Sequence, residues 1–373
     1  MKVVVAMSGG VDSSVAAALL RQQGYDVVGI MMETWSGEFL PIKRDSRACY
    51  GPGERGDTED ARSVAQSLGI PLHILDLRAE YRSEVLDYFC HEYSSGRTPN
   101  PCIRCNRRIK FDALIKKAEG IGIQFDYVAT GHYARVQYDK NQRRYLLKRA
   151  TDLRIDQSYF LACLSQEQLS RCLFPVGNYT KEEVRGMAAR FGLTVGNKPK
   201  SRDFIAGGYS PVVRASAQPG LILDRQGNIL GKHGGIPFYT VGQRRGLGIS
   251  GKLPLYVTAI DPEKNAIIVG SKEEVYGNEL LASELNWIAM EKLEGRIQVK
   301  AKIRYLHKEA EATITPLDED RVHVKFREPQ MAITPGQAVV FYKGDTVIGG
   351  GTIETFVANR IKEVLSNRVY RRV

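Results

Sequence analysis

No apolar run in this chain of 373 residues approaches the roughly 20 residues that a membrane-spanning helix needs, so no membrane association is expected. The apolar opening Met1-Lys2-Val3-Val4-Val5-Ala6 is cut by Ser8-Gly9-Gly10, far too early for a secretory signal, and the protein is expected to stay in the cytoplasm. Cysteine is scarce: six thiols are spread along the whole length, which argues against the dense disulfide framework of small secreted domains. The Walker phosphate loop is missing, because no Gly-Lys-Ser/Thr follows an early strand at the required spacing.

What is present is an ordinary globular composition, 43% hydrophobic and 25% charged. A single core rarely serves so long a chain, and two or three domains are expected. Lysine and arginine outnumber aspartate and glutamate by 53 to 42, and the net charge of +11 produces a field that attracts polyanions such as nucleic acid.

Over the first 130 residues short β-branched runs alternate with helical periodicity. Val3–Ala6, Val27–Met31, His73–Leu77 and Tyr127–Thr130 read as strands, and Asp12–Gln23 and Asp57–Leu68 as helices. This pattern predicts a doubly wound parallel sheet, α/β in class, that binds its ligand beyond the carboxyl ends of its strands. Residues 165–195 read as helical and are assigned to the same domain, residues 1–208. From Tyr209 the chain turns to short alternating segments punctuated by glycine, among them Tyr256–Ile260, Ala266–Val269, Ile297–Lys300, Val322–Lys325 and Ala338–Phe341. Two small β-rich domains are expected, over 209–273 and 274–373, the second ending in a basic tail from Val357 to Val373 that reads as an amphipathic helix or a frayed terminus.

The first strand runs into Ser8-Gly9-Gly10-Val11-Asp12-Ser13-Ser14 and then a helix. Two glycines let the backbone approach an anion, two serines supply hydroxyls, and the helix start offers unpaired amides with a favourable dipole. The plainer reading is a strand-to-helix turn capped by Asp12 or Ser13. The string as a whole resembles the pyrophosphate-binding loop (PP-loop) of enzymes that split ATP between its α and β phosphates and attach AMP to a carbonyl oxygen. That likeness implicates Ala6, Met7, Ser8, Gly9, Gly10, Val11, Asp12 and Ser13 in ATP binding, with magnesium as companion.

A second cluster, Gly96-Arg97-Thr98-Pro99-Asn100-Pro101-Cys102-Ile103-Arg104-Cys105-Asn106, continues through Arg107, Arg108 and Lys110. A Cys-x-x-Cys in a cytosolic protein points to metal or redox chemistry, and five nearby cations are expected to favour thiolate and to attract a phosphate backbone. Half of a zinc ribbon is the plainer reading, but no second Cys-x-x-Cys completes four ligands. Cys90, Cys163 and Cys172 sit in helical or apolar contexts and read as core residues.

Together with 129–135 (Ala-Thr-Gly-His-Tyr-Ala-Arg), 156–161 (Asp-Gln-Ser-Tyr-Phe-Leu), 239–248 and 334–337, these motifs make the chain similar over nearly its whole length to the tRNA-specific 2-thiouridylases, which replace the 2-oxygen of a wobble uridine with sulfur. The resemblance implies a PP-loop domain followed by two β-rich domains, catalysis at Cys102 and Cys105, and nucleotide contacts from Met32 and Gly131. It further implies tRNA contacts from Asn100, Pro101, Cys102, His132, Asp156, Gln157, Arg304, Tyr305 and Gln337. For His132 the residues alone favour a hydrogen-bonded histidine closing a strand. The sulfur would come from a cysteine desulfurase, a persulfide carrier or sulfide.

One departure matters. The family carries a second catalytic cysteine in a Ser-Gln-Asp-x-Cys-Phe stretch, whereas the corresponding residues here, 200–208, hold none. Two substitutes remain open. Cys102 and Cys105 divide the work, one carrying a persulfide and the other resolving it; or both join Cys49 in holding an iron–sulfur cluster through three thiolates. Many family members carry an aspartate where this chain has Cys102, and loss of the distal cysteine together with gain of Cys102 reads as a linked change that tips the balance toward the cluster. A synthetase that adenylates another carbonyl, and an RNA-binding protein with a regulatory nucleotide loop, are the rival readings.

Overall fold

The computed structural model describes residues 1–37, 48–197, 203–249 and 253–355. The chain divides into two compact units, the first built from 1–86, 101–209 and 344–347, the second from 87–100, 210–343 and the chain from Ile348 onward. The basic tail and residues Lys200, Ser201 and Arg202 of the cysteine-free stretch lie outside the described residues.

In the first unit, β1 (Lys2–Ala6) carries three consecutive valines with no exposed surface, as expected for a strand covered on both faces. It is followed by α1 (Val11–Gln22), β2 (Asp26–Glu33), β3 (Ala48–Tyr50), α2 (Glu54–Leu68), β4 (Leu72–Asp76) and, later, β5 (Tyr127–Thr130). The main sheet has the order β4, β2, β1, β5 and the two-residue strand Cys172–Leu173, all parallel. The chain winds from β1 through β2 to β4 on one side and returns with β5 on the other. The topological switch therefore falls between β1 and β5, where such sheets bind their ligands.

Helix Lys181–Arg190 packs against α1 through Val184, Met187 and Ala188 in the same core as Val15 and Leu19. Its start is a capping box: Thr180 Oγ1 accepts from Glu183 N at 3.2 Å and Glu183 Oε2 accepts from Thr180 N at 2.7 Å. The stretch 165–195, expected to be helical, thus holds this helix and Gln166–Ser170 but also the edge strand Cys172–Leu173, too short for periodicity to reveal. A hairpin of Ala134–Asp139 and Arg144–Arg149 was not foreseen, nor was the small parallel pair of β3 with Asp203–Ile205.

The second unit holds a four-stranded sheet in the order Ile229–His233, Gly220–Leu223, Ala266–Gly270, Tyr256–Asp261, around a core of Ile222, Val257, Ile267 and Val269. Farther along, Tyr276–Trp287, Val322–Met331, Ala310–Pro316, Ile297–Lys302, Ala338–Lys343 and Thr346–Thr355 are neighbours in that order. A further pairing of the first with the last closes them into a barrel. Along Val322–Phe326 buried Val322, Val324 and Phe326 alternate with less buried His323 and exposed Lys325, the two-residue period of a strand with one face in the barrel core. The fold class is therefore the expected one, a doubly wound parallel sheet followed by two small β-rich domains.

Replacing Thr180 with alanine removes one half of the capping box and should cost about 1 kcal/mol in urea unfolding followed by a probe in the first unit.

Candidate active site

The loop after β1 is open where a phosphate would sit. Gly10 is the N-cap of α1 with an extended backbone (φ −98°, ψ 162°), and no side chain caps the helix. Ser13 Oγ and Ser14 Oγ instead donate back to Gly10 O at 3.1 and 2.9 Å, and Ser13 Oγ accepts from Ser8 N at 3.2 Å. The plainer reading, a turn capped by Asp12 or Ser13, is not what forms. Gly9 has φ +64° and lies against the Asp57 carbonyl, so no side chain fits there. On the other side of the switch point, a Cβ on Gly131 would meet Ser13 N at 2.5 Å. Met32 lies near the carboxyl end of β2, in register with Leu75 of β4.

His132 continues from Gly131. Its Nδ1 shares a 2.8 Å hydrogen bond with Thr130 Oγ1, and its ring stands 6.2 Å from those of Phe111 and Phe174. Burial, with a smaller contribution from the Lys110 charge, pushes its pKa down, so the imidazole is neutral at physiological pH. The strand-closing role inferred from the residues alone is the one its hydrogen bond describes. Asp156 is 7% exposed and fully engaged: Oδ1 accepts from Ala150 N and Ser158 N at 2.9 and 3.2 Å, and Oδ2 from Ser158 Oγ at 2.8 Å. Gln157 Oε1 accepts from Tyr133 N at 2.9 Å, and Gln157 N donates to Tyr133 O at 2.8 Å. Gln157 thus braces the strand end on which Gly131, His132 and Tyr133 stand, while Asp156 ties Ala150 to Ser158.

Cys102 and Cys105 lie on the short helix Pro101–Cys105, three residues apart and so on neighbouring faces, with Cys102 half-buried and Cys105 buried. Proline at the first position suits a helix start, where its missing N–H is no loss. The helix runs on into a π-helical segment, Asn106–Ala113. Asn106, 1% exposed, anchors it by donating Nδ2 to Phe160 O at 3.0 Å.

The expectation that five cations stabilise thiolates needs correction. Arg104 donates to Glu84 O and Glu84 Oε2 at 2.9 and 2.7 Å, Arg108 lies 3.8 Å from the same carboxylate, Arg97 pairs with Glu92, and Arg107 acts on Cys163. Among the described residues only Lys110 is a cation that acts on the pair, and burial outweighs it: Cys102 is pushed up to about 12 and Cys105 to about 11. Both are thiols at neutral pH in this state of the protein.

Cys49 is exposed and sits in strand β3 rather than in a loop. Its partner strand is the very stretch in which the family places its second cysteine. Ala48 pairs with Asp203 and Tyr50 with Ile205. Tyr50 stacks on Tyr81 with ring centroids 5.4 Å apart, and the phenol of Tyr81, 2% exposed, is raised by burial and then by Cys105, Cys49 and Cys102. The three thiols thus share one neighbourhood. They do not, however, converge as ligands: among the described residues no group of three His, Cys, Asp or Glu side chains could hold a metal ion. Cys163 and Cys90 are half-buried with Sγ 3.5 Å from the carbonyls of Ile103 and Val212, and Cys172 is buried in the sheet, in keeping with core roles.

The remaining expected tRNA contacts belong to the second unit. Gln337 Nε2 donates to Thr98 O and Pro99 O at 3.0 and 3.2 Å, holding the segment that ends at Asn100, just before Pro101. Arg304 donates to Met331 O and Ala332 O at 2.7 and 2.8 Å, and Lys302 stands 5.3 Å from the centroid of the Tyr305 ring. Missed in the sequence were the roles of Lys181, Tyr133 and Tyr81, whereas Lys110 was among the five cations expected near the thiols. Only Lys181 carried a signal, the Thr180-Lys181-Glu182-Glu183 capping box.

An uncapped helix start at the switch point of a parallel sheet defines a nucleotide-binding domain of the PP-loop kind. Three family models match in succession: a tRNA methyl transferase HUP domain over residues 1–206, a tRNA methyl transferase PRC-barrel domain over 213–271, and an aminomethyltransferase β-barrel domain over 277–353. The chain is 49% identical over 360 residues to the tRNA-specific 2-thiouridylase MnmA 1 of Caldanaerobacter subterraneus subsp. tengcongensis, covering 95% of this chain and 98% of that protein. It is 50% identical over 359 residues to the tRNA-specific 2-thiouridylase of Moorella thermoacetica, covering 94% and 99%. The chain belongs to the tRNA-specific 2-thiouridylase family. No helix among the described residues is long and apolar enough to cross a membrane.

Brief alkylation followed by peptide mass spectrometry should label exposed Cys49 before Cys105, and labelling of Cys102 should quicken roughly tenfold per pH unit from neutrality toward its raised pKa. Gly131→Ala should abolish ATP binding measured by calorimetry, because the added methyl would displace Ser13 and the start of α1.

Proposed function

We propose that this protein is an ATP-dependent sulfurtransferase that converts the 2-oxygen of a wobble uridine in tRNA to sulfur through an adenylated uridine. The observation that carries this reading is the bridge inside the first unit. Gly131 lies on Ser13 of the phosphate loop, and the next residue, His132, lies against Phe111 of the segment that continues the Cys102–Cys105 helix. Adenylation and thiol chemistry are thereby joined by consecutive residues. The family descriptions speak of methyl transfer, but methylation calls for neither a pyrophosphate loop nor a thiol pair.

In this scheme the open amides of α1 hold the pyrophosphate as it leaves, and the uridine oxygen takes the AMP. Magnesium, arriving with ATP, neutralises part of the phosphate charge. Cys102, the more accessible of the pair, carries the persulfide, whose outer sulfur is transferred as sulfane sulfur from a cysteine desulfurase or a persulfide carrier; sulfide, which would need a two-electron oxidant, serves only the rival cluster scheme. Its terminal sulfur attacks C2 and AMP departs. Cys105 then attacks the Cys102 sulfur, which releases the thiocarbonyl and leaves a Cys102–Cys105 disulfide for an external thiol to reduce. The target base must leave its stack to reach this site. Asn100, Pro101 and His132 are proposed to meet it, while Arg304 and Tyr305 are proposed to engage tRNA from the second unit. Asp156, Gln157 and Gln337, each of which also holds backbone groups of the protein, are proposed to line the path of the tRNA. The three cysteines as they stand do not fit a preformed cluster, and no step is routed through one.

Cys102→Ser and Cys105→Ser should each keep tRNA-dependent pyrophosphate release while thiolation falls by about 100-fold or more. An RNA-binding protein with a regulatory nucleotide loop would release no pyrophosphate in the wild type. Protein purified without oxygen should contain substoichiometric iron; stoichiometric iron and sulfide, with activity lost on chelation, would overturn the thiol-pair scheme in favour of a Cys49, Cys102 and Cys105 cluster.

A further inference from the structure

Asp12 stands in the first turn of α1, directly beside the amides that face the phosphate site. A carboxylate is at home near a helix start, but here it also borders the place where a polyanion must dock. Two side chains from elsewhere in the first unit converge on one of its oxygens: Tyr133 Oη donates to Oδ1 at 2.7 Å and Lys181 Nζ donates to the same Oδ1 at 2.5 Å. Among the described residues Oδ2 takes no protein hydrogen bond. The Lys181 ammonium also lies 5.5 Å from the centroid of the Tyr133 ring, so the two donors support each other.

The supports behind this pair are unusually firm. Tyr133 is fully buried and its backbone is held by Gln157, through the side-chain Oε1 that accepts from Tyr133 N and the backbone N that donates to Tyr133 O. The Lys181 side chain is 17% exposed and springs from the first residue of its helix, fixed by the Thr180–Glu183 capping box. A cation at that position opposes the helix dipole, where an acidic residue would be preferred. A local rule broken on a well-built element points to function.

We infer that Lys181 and Tyr133 are positioning residues of the adenylation site: they fix the Asp12 carboxylate in one orientation and offset its charge, so that the triphosphate of ATP can enter the loop. This rests on the reading of the Ser8–Ser14 loop as the ATP site. Removing the lysine leaves an unopposed negative charge beside the incoming phosphates, and the loss should appear in ATP binding more than in turnover.

The test is a double-mutant cycle on the full chain, with ATP affinity by calorimetry and KM and kcat for tRNA-dependent pyrophosphate release. Lys181→Met should raise the KM for ATP about tenfold with a smaller change in kcat, Lys181→Arg should recover most of that loss, and Tyr133→Phe should show a weaker form of it. In the Asp12→Asn background, where no charge needs offsetting, Lys181→Met should cost less than about twofold in ATP affinity. An equal loss in both backgrounds would show that Lys181 acts independently of Asp12 and would overturn the inference, as would wild-type affinity in Lys181→Met. Failure of the arginine variant to recover, with an equal fall in melting temperature in both lysine variants, would assign Lys181 to fold stability alone. A wild-type protein that binds no ATP would overturn the underlying reading of the loop.

Discussion

A helix start without a side-chain cap is the constraint on which the rest of the first unit turns. Unpaired amides at a helix terminus are costly when buried and must find water, a cap or a ligand. Here the serines that could have capped the helix bond back to Gly10 instead, and the loop stays open at the switch point. The sheet order follows from the same requirement, since β1 and β5 must be neighbours for Gly131 to press against Ser13. Tyr133 and Gln157 then hold that strand end in place.

The thiol region obeys a different logic. Arginines that look in the sequence like activators of a thiolate are consumed by carboxylates, Arg104 and Arg108 by Glu84 and Arg97 by Glu92. Low dielectric surroundings then keep both thiols protonated. Such a site is quiet until something changes its surroundings. Entry of a charged substrate or conversion to a persulfide alters the balance that burial sets, which limits wasteful oxidation between turnovers.

Legibility followed the range of the interactions. Four of the five strands of the parallel sheet, the two flanking helices and the glycine loop were readable because periodicity, caps and turn residues are local, whereas the two-residue edge strand Cys172–Leu173 has no period to read. The β-rich second half was readable for the same reason, down to strands such as Tyr256–Asp261 and Ala266–Gly270. The pairing of β3 with Asp203–Ile205 was not, because it joins segments more than 150 residues apart and each strand has only three residues. The hydrogen bonds that Asp156 and Gln337 make to backbone groups were not legible either, because they join residues whose nearness only the fold creates. The arginines misled because nearness in sequence says nothing about which carboxylate a guanidinium will find.

The small parallel pair also shows how little room a β-ladder leaves for exchanging reactive groups. Neighbouring strands lie less than 5 Å apart, but successive side chains alternate between the two faces. Ile205 is in register with Tyr50 and both are buried, whereas Cys49, one residue before Tyr50, is exposed on the other face. Closeness in the fold is therefore not equivalence of address: a shift of one residue carries a thiol from one side of the ladder to the other.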